Sequence, residues 1–227
     1  MNIHILTIVK CFIGGVIFFL TAYLITISNR HFPSKEKSVM CSFWVMAGIT
    51  FWINAILIAL FILGKTDASF FALKVMVVFM MIQLWIGIHL LFYKLIQNKS
   101  LFNLISGIVG IFLVSQTILY LTRPRYEIVF GEPRIVFPGG PSVSYLISAF
   151  LLMLLIFGFW IIYREFQSGS SFWLNLASVY RFSSLGIYGM VAFLRIFYFL
   201  PHPWYLEIFY PLILVLNYLA LKEEKIL

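Results

Sequence analysis

Eight carboxylates, four histidines and two cysteines are the chain's whole stock for acid–base, metal or thiol chemistry. Glu36, Asp67, Glu127, Glu132, Glu165, Glu223 and Glu224 fall in polar breaks or the tail, and only Glu207 falls within an apolar stretch. General acid–base catalysis by two facing carboxylates therefore has no material in the apolar part of the chain. His4, His31, His89 and His202 are scattered, and no His-Glu-x-x-His or other ligand spacing occurs, so no metal site is expected. There is no Gly-x-Ser-x-Gly elbow and no glycine-rich phosphate loop. The expectation is no catalytic residue and no cofactor, and the chain leans away from being an enzyme. Cys11 and Cys41 should lie near opposite ends of two neighbouring helices, out of disulfide reach, as free thiols.

The remaining polar side chains in apolar surroundings point to binding rather than catalysis. Lys10, Lys74, Gln116, Arg195, Tyr198, Glu207 and Tyr210 would share one half of a helical bundle. Ionisable groups inside a membrane are functional candidates when they face inward. Turned inward, this set is net positive and suits a carboxylate or phosphate group. Arg195 and Glu207 flank one turn and are expected to pair. The opposing reading is that Lys10, Lys74 and Arg195 snorkel to the headgroups. Asn54, His89, Asn175, Arg181 and Asn217 lie deeper and are expected to hydrogen-bond between helices.

Those side chains need elements to carry them. Of the 227 residues 63% are hydrophobic and 11% charged, and the mean hydropathy is +1.02. An ordinary soluble domain has about 25% charged residues. A soluble domain, a disordered chain and a disulfide scaffold are all excluded. Polar breaks divide the sequence into stretches at 5–28, 39–63, 69–93, 101–121, 143–163, 182–200 and 204–221, with a polar segment at 122–142. Each stretch has roughly the 20 residues a helix needs to cross ~30 Å of hydrocarbon. Helices satisfy their backbone polar groups internally, whereas these runs lack the alternation of a membrane barrel. The predicted architecture is an all-α, seven-transmembrane bundle forming a single domain over 1–227. The run 172–200 is too long for one span. Either 172–181 is a separate interfacial helix, or one tilted or kinked helix, with Gly186 and Gly189 at its middle, covers the whole run. The apolar run 11–28 is too long for a signal peptide and lacks a cleavage site.

Eight basic residues (Arg30, Lys35, Lys37, Lys94, Lys99, Arg164, Lys222, Lys225) collect on one face and four (Lys65, Arg123, Arg125, Arg134) on the other. This bias sets the N-terminus out and the C-terminus in. The net charge of +8 is spread over loop ends facing anionic headgroups, so a nucleic-acid partner is not expected. Trp44, Trp160, Trp173 and Trp204 sit near span ends, as an aromatic belt requires. The seventh stretch has no central lysine and the third no acid, which excludes a retinal site. No internal repeat is visible, which ranks a small transporter or a lipid-modifying enzyme third. The segment Tyr126-Glu127-Ile128-Val129-Phe130, Gly131-Glu132-Pro133, Arg134-Ile135-Val136-Phe137 reads as two β-rich runs about a turn. It is expected to form a β-hairpin-like outer loop between helices 4 and 5, either capping a cavity or serving as a packed linker.

The layout resembles the N-terminal seven-helix sensor region of many prokaryotic histidine kinases. The similarity is carried by Ala47-Gly48-Ile49-Thr50-Phe51-Trp52, by the short turn at Thr66-Asp67, and by the long outer segment ending at Gly140-Pro141 before the fifth stretch. The resemblance implies a receptor-like or sensor-like module in a prokaryotic cytoplasmic membrane. It would bind a small or lipid-like ligand in its outer half and signal to a membrane or cytoplasmic protein partner. In that family the seventh helix leads into a cytoplasmic module. Here only six residues follow Leu221, so a stand-alone sensor, a fragment or a subunit is expected. The alternative function is a non-catalytic accessory subunit of a membrane complex.

Overall fold

The computed structural model describes residues 3–96, 98–123, 125–129, 132–136, nine helical positions between 149 and 167, and 172–196 and 209–225. Its elements are α1 (Ile3–His31), α2 (Lys35–Ile62), α3 (Thr66–Leu95), α4 (Lys99–Thr122), β1 (Arg125–Val129), β2 (Glu132–Val136), α5 (Phe172–Ile196) and α6 (Tyr210–Glu223). Four helices are long and apolar enough to cross a membrane: Ile5–His31, Lys35–Ile62, Thr66–Tyr93 and Lys99–Thr122. They mark the chain as a mainly helical membrane protein. β1 pairs antiparallel with β2, with Arg125 opposite Val136 and Val129 opposite Glu132.

The helices outrun the hydropathy boundaries. α2 begins at Lys35 rather than at 39, and α1 continues to His31. At ~1.5 Å per residue, 28 residues rise about 42 Å, more than the ~30 Å of hydrocarbon. Capping side chains, not the edge of the apolar run, set the starts of α2 and α4. Ser34 is extended (φ −148°, ψ 145°), and its hydroxyl accepts from the Lys37 amide. Asn98 accepts from the amides of Ser100 and Leu101 to start α4. Both are N-cap arrangements that satisfy first-turn donors. The α2–α3 turn needs Gly64 at φ +71°, a left-handed position that costs a side-chain-bearing residue energy.

α2 packs against both α1 and α3, α3 against α4, and α6 against both α1 and α5. The α1–α2 seam is built from aromatic rings over glycines. A Cβ on Gly14 would lie 2.9 Å from the Phe51 ring, one on Gly15 2.2 Å from Trp52, and one on Gly48 3.0 Å from Phe19. The Trp52 indole NH also donates to the Phe12 carbonyl at 3.2 Å. At the centre, Phe18 contacts Trp44, Phe51, Tyr188 and Tyr210. Tyr188 of α5 meets Phe43 and Trp44 of α2 edge-on. Trp44 is fully buried, so it belongs to this core and not to an aromatic belt.

The long sixth stretch resolves as one helix. α5 runs unbroken from Phe172 to Ile196, so 172–181 is not a separate interfacial segment, and the helix begins ten residues before the expected start at 182. The sequence offers no proline or polar break there to end it. Arg181, taken as a boundary, instead finds its partners inside the bundle. Of the fifth stretch, 143–163, only isolated positions are described. Residues 197–208, which include the start of the seventh stretch, lie outside the described residues.

Candidate functional site

The buried ionic cluster among the described residues gathers side chains from four helices at one end of the bundle. Arg181 (α5) is 4% exposed. Its Nη2 lies 2.6 Å from Glu224 Oε2 and donates to Ser28 Oγ at 2.8 Å. Ser28, near the end of α1, donates in turn to Glu224 Oε2 at 2.5 Å. Lys37, in the first turn of α2, places Nζ 2.8 Å from Glu224 Oε1 and 3.1 Å from the Phe32 carbonyl oxygen that accepts from it. The Lys37 ammonium also sits 5.4 Å from the centre of the Phe32 ring, within cation–π range. Glu224 follows the last residue of α6 and caps it.

Each partner arrives by local logic. The Ser34 cap fixes the first turn of α2 and so aims Lys37. The Ser184 hydroxyl donates to the Arg181 carbonyl one turn back in α5 at 2.6 Å. Asn217 donates to the Ile213 carbonyl within α6. Burial alone pushes the Glu224 carboxyl up. Hydrogen bonds from Arg181, Lys37 and Ser28, with the Arg181 charge, outweigh that and hold it below the usual carboxylate range. The cluster is nevertheless unbalanced. Two cations face one carboxylate, and Arg181 Nε is buried with no hydrogen-bond partner.

The described side chains of the expected ligand set, Lys10, Lys74, Gln116 and Tyr210, lie elsewhere. Lys10 on α1 and Lys74 on α3 are half-buried, and Gln116 on α4 is buried with Oε1 unpartnered. Tyr210 is buried against Phe18 and Phe51. The alternating directions of α1 to α4 put Lys10, Lys74 and Gln116 in the same half as Tyr210. Along α6, Tyr210 and Glu224 are 14 residues apart, or about 21 Å, so these four do not reach the ionic cluster. Arg195 lies in α5 with only its backbone described, and Tyr198 and Glu207 fall outside the described residues. Among the deeper polar residues, Asn54 donates to Cys11 Sγ at 3.3 Å, and His89 bonds Ser106 of α4 at 3.1 Å. Cys41 lies 3.3 Å from the Thr26 hydroxyl, so the two free thiols serve different ends of the α1–α2 seam. Among the described residues no three His, Cys, Asp or Glu side chains gather as a metal site would require.

Sequence reasoning placed Glu224 in the tail, Lys37 in a loop and Arg181 among hydrogen-bonding glue. The signal that pointed to their union was Arg181 itself. An arginine ten residues into a long apolar run needs an anion, and the candidates at its end of the bundle were few. No protein family, curated protein or solved structure matches the chain.

Proposed function

We propose that the chain is a sensor-like integral membrane module of seven helices in a prokaryotic cytoplasmic membrane, N-terminus out and C-terminus in. The β1–β2 pair sits on the outer side, and a small or lipid-like ligand binds in the outer half. Lys10, Lys74, Gln116, Arg195, Tyr198, Glu207 and Tyr210 are its candidate contacts. The observation that carries this reading is the double anchoring of α6. One end is held by Tyr210 in the aromatic core and the other by Glu224 in the ionic cluster. A ligand that favours one setting of Tyr210 over another would bias the distant end of the same helix, which is the differential contact a two-state switch requires. The module then signals to a membrane or cytoplasmic protein partner.

Native mass spectrometry of protein gently extracted from its own membrane tests this. The expected result is a small molecule or lipid retained at fixed stoichiometry and lost in Arg195→Ala and Glu207→Gln. Retention unchanged in both variants would remove the site assignment. The second reading, an accessory subunit, is favoured by α4. Ile108, Ile111, Val114 and Ile118 are exposed along it, beside an apolar groove over Gly107 and Gly110. Co-purification of a second polypeptide at fixed stoichiometry, with no small molecule, would select that reading.

A further inference from the structure

Three donors from three helices, Arg181 Nη2, Lys37 Nζ and Ser28 Oγ, converge on one carboxylate supplied by a fourth. We infer that Arg181, Lys37 and Ser28 form a phosphate-binding site that the chain's own Glu224 fills, so that a phosphate group, free or on a lipid headgroup, competes with the end of α6.

The argument is one of unmatched chemistry. Glu224 brings one charge and two oxygens to two cations. Oε1 is taken by Lys37, and Oε2 is shared by Arg181 and Ser28. Arginine binds oxyanions best through two parallel N–H donors on one edge of its fork. Nη2 and Nε are such an edge, yet only Nη2 is engaged, and Nε is buried without an acceptor. A phosphate group carries more charge than a carboxylate and three acceptor oxygens. One oxygen pair can span the Nε–Nη2 edge while another oxygen meets Lys37, removing both the charge excess and the orphaned donor.

Access is consistent with exchange. Glu224 lies beyond the last turn of α6, and Lys225 follows at φ 54°. Withdrawing the carboxylate requires opening a helix end rather than repacking the core, and helix ends open at the lowest cost in a fold. Lys222 and Lys225 flank Glu224 in sequence and Arg30 and Lys35 flank Ser28 and Lys37, against Glu36 and Glu223, and this excess of positive charge raises the local concentration of anions. The inference stands apart from the outer-half ligand, and neither needs the other.

The test uses the full chain in nanodiscs of neutral phosphatidylcholine, with inorganic phosphate as the probe and thermal stability as the readout. Glu224→Ala vacates the site, and Glu224→Gln removes the competing charge. Each should bind phosphate at least about tenfold more tightly than wild type, because a site mostly filled by its internal ligand has its apparent affinity reduced by the vacant fraction. Adding Arg181→Gln should abolish the gain. Nanodiscs containing phosphatidic acid separate the sources: stabilisation only there assigns the site to a lipid headgroup, and stabilisation by dissolved phosphate assigns it to a free anion. Folded Glu224 variants that gain with neither probe overturn the inference, as does a gain that survives Arg181→Gln. If neither variant folds, hydrogen exchange of wild type decides. Exchange over 218–225 should rise when either probe displaces Glu224, and exchange unchanged by both overturns the inference.

Discussion

Arg181 is 4% exposed, and Glu224 and Ser28 meet its charge there. A buried ion pair is a poor source of net stability, but removing one member strands the other. Glu224→Ala leaves Arg181 and Lys37 facing each other without a counter-charge and should cost about 3 kcal/mol, read as a lower unfolding midpoint in nanodiscs. Arg181→Met should cost less than Glu224→Ala, since it removes the more deeply buried charge and leaves Lys37 to pair with Glu224. The reverse order would show that packing of the arginine stem dominates. The same cluster sets a pH dependence. The groups facing Glu224 are Arg181 from α5, Lys37 from α2 and Ser28 from α1, and together they hold its folded value below the usual 4.5. A lowered carboxyl adds stability that is fully present above the unfolded value and fades as pH falls through the folded one. Wild type should therefore lose stability progressively below pH 4.5, and Glu224→Gln should show a flatter acid limb.

The helices are held by shape before charge. Gly15 sits under Trp52, and a Cβ there would come within 2.2 Å of its ring. Gly15→Val should swing the indole out, break its bond to the Phe12 carbonyl and cost about 1–3 kcal/mol, as overpacked seams do. Phe18 is fully buried among four aromatic rings, so Phe18→Ala should cost about 3–5 kcal/mol. Denaturation in mixed micelles measures both, and a cost below about 1 kcal/mol for Phe18→Ala would mean that the cavity collapses. These elements differ in how far the sequence revealed them. The first four helices were legible because an unbroken apolar run of their length has one backbone solution in lipid. Their ends were not, because hydropathy marks the hydrocarbon edge while Ser34 and Asn98 mark where the helix begins. Residues 47–52 stood out as a pattern, and the structure gives it a packing role in which Gly48 receives Phe19 while Phe51 and Trp52 cover Gly14 and Gly15. Trp44 misled, since proximity to a span end says nothing about which way a ring faces. The Arg181–Glu224 pairing joins residues 43 apart across α5 and α6, and no local period encodes it.

For the molecule as a whole, the seven-helix reading fixes which ends share a side. The ionic cluster, Lys35 and Lys225 should face the cytoplasm, and Lys65, at the start of α3, should face outward. With Cys11 and Cys41 replaced by serine, Lys65→Cys should react with a membrane-impermeant maleimide on intact cells, and Lys225→Cys only after lysis. Labelling of both from outside would refute the topology. The buried arginine also bears on how the chain is made. Ser28 and Lys37 leave the ribosome first and bring a hydroxyl and a second positive charge, and Arg181 follows within α5. A buried arginine without its counter-charge is costly, and Glu224 is not yet made when α5 is. The answering carboxylate arrives 43 residues later. Until then Arg181 is without the carboxylate it meets in the folded chain. A chain cut just before Glu224 should therefore strand Arg181 and Lys37 together and show a lower unfolding midpoint in nanodiscs, as Glu224→Ala does.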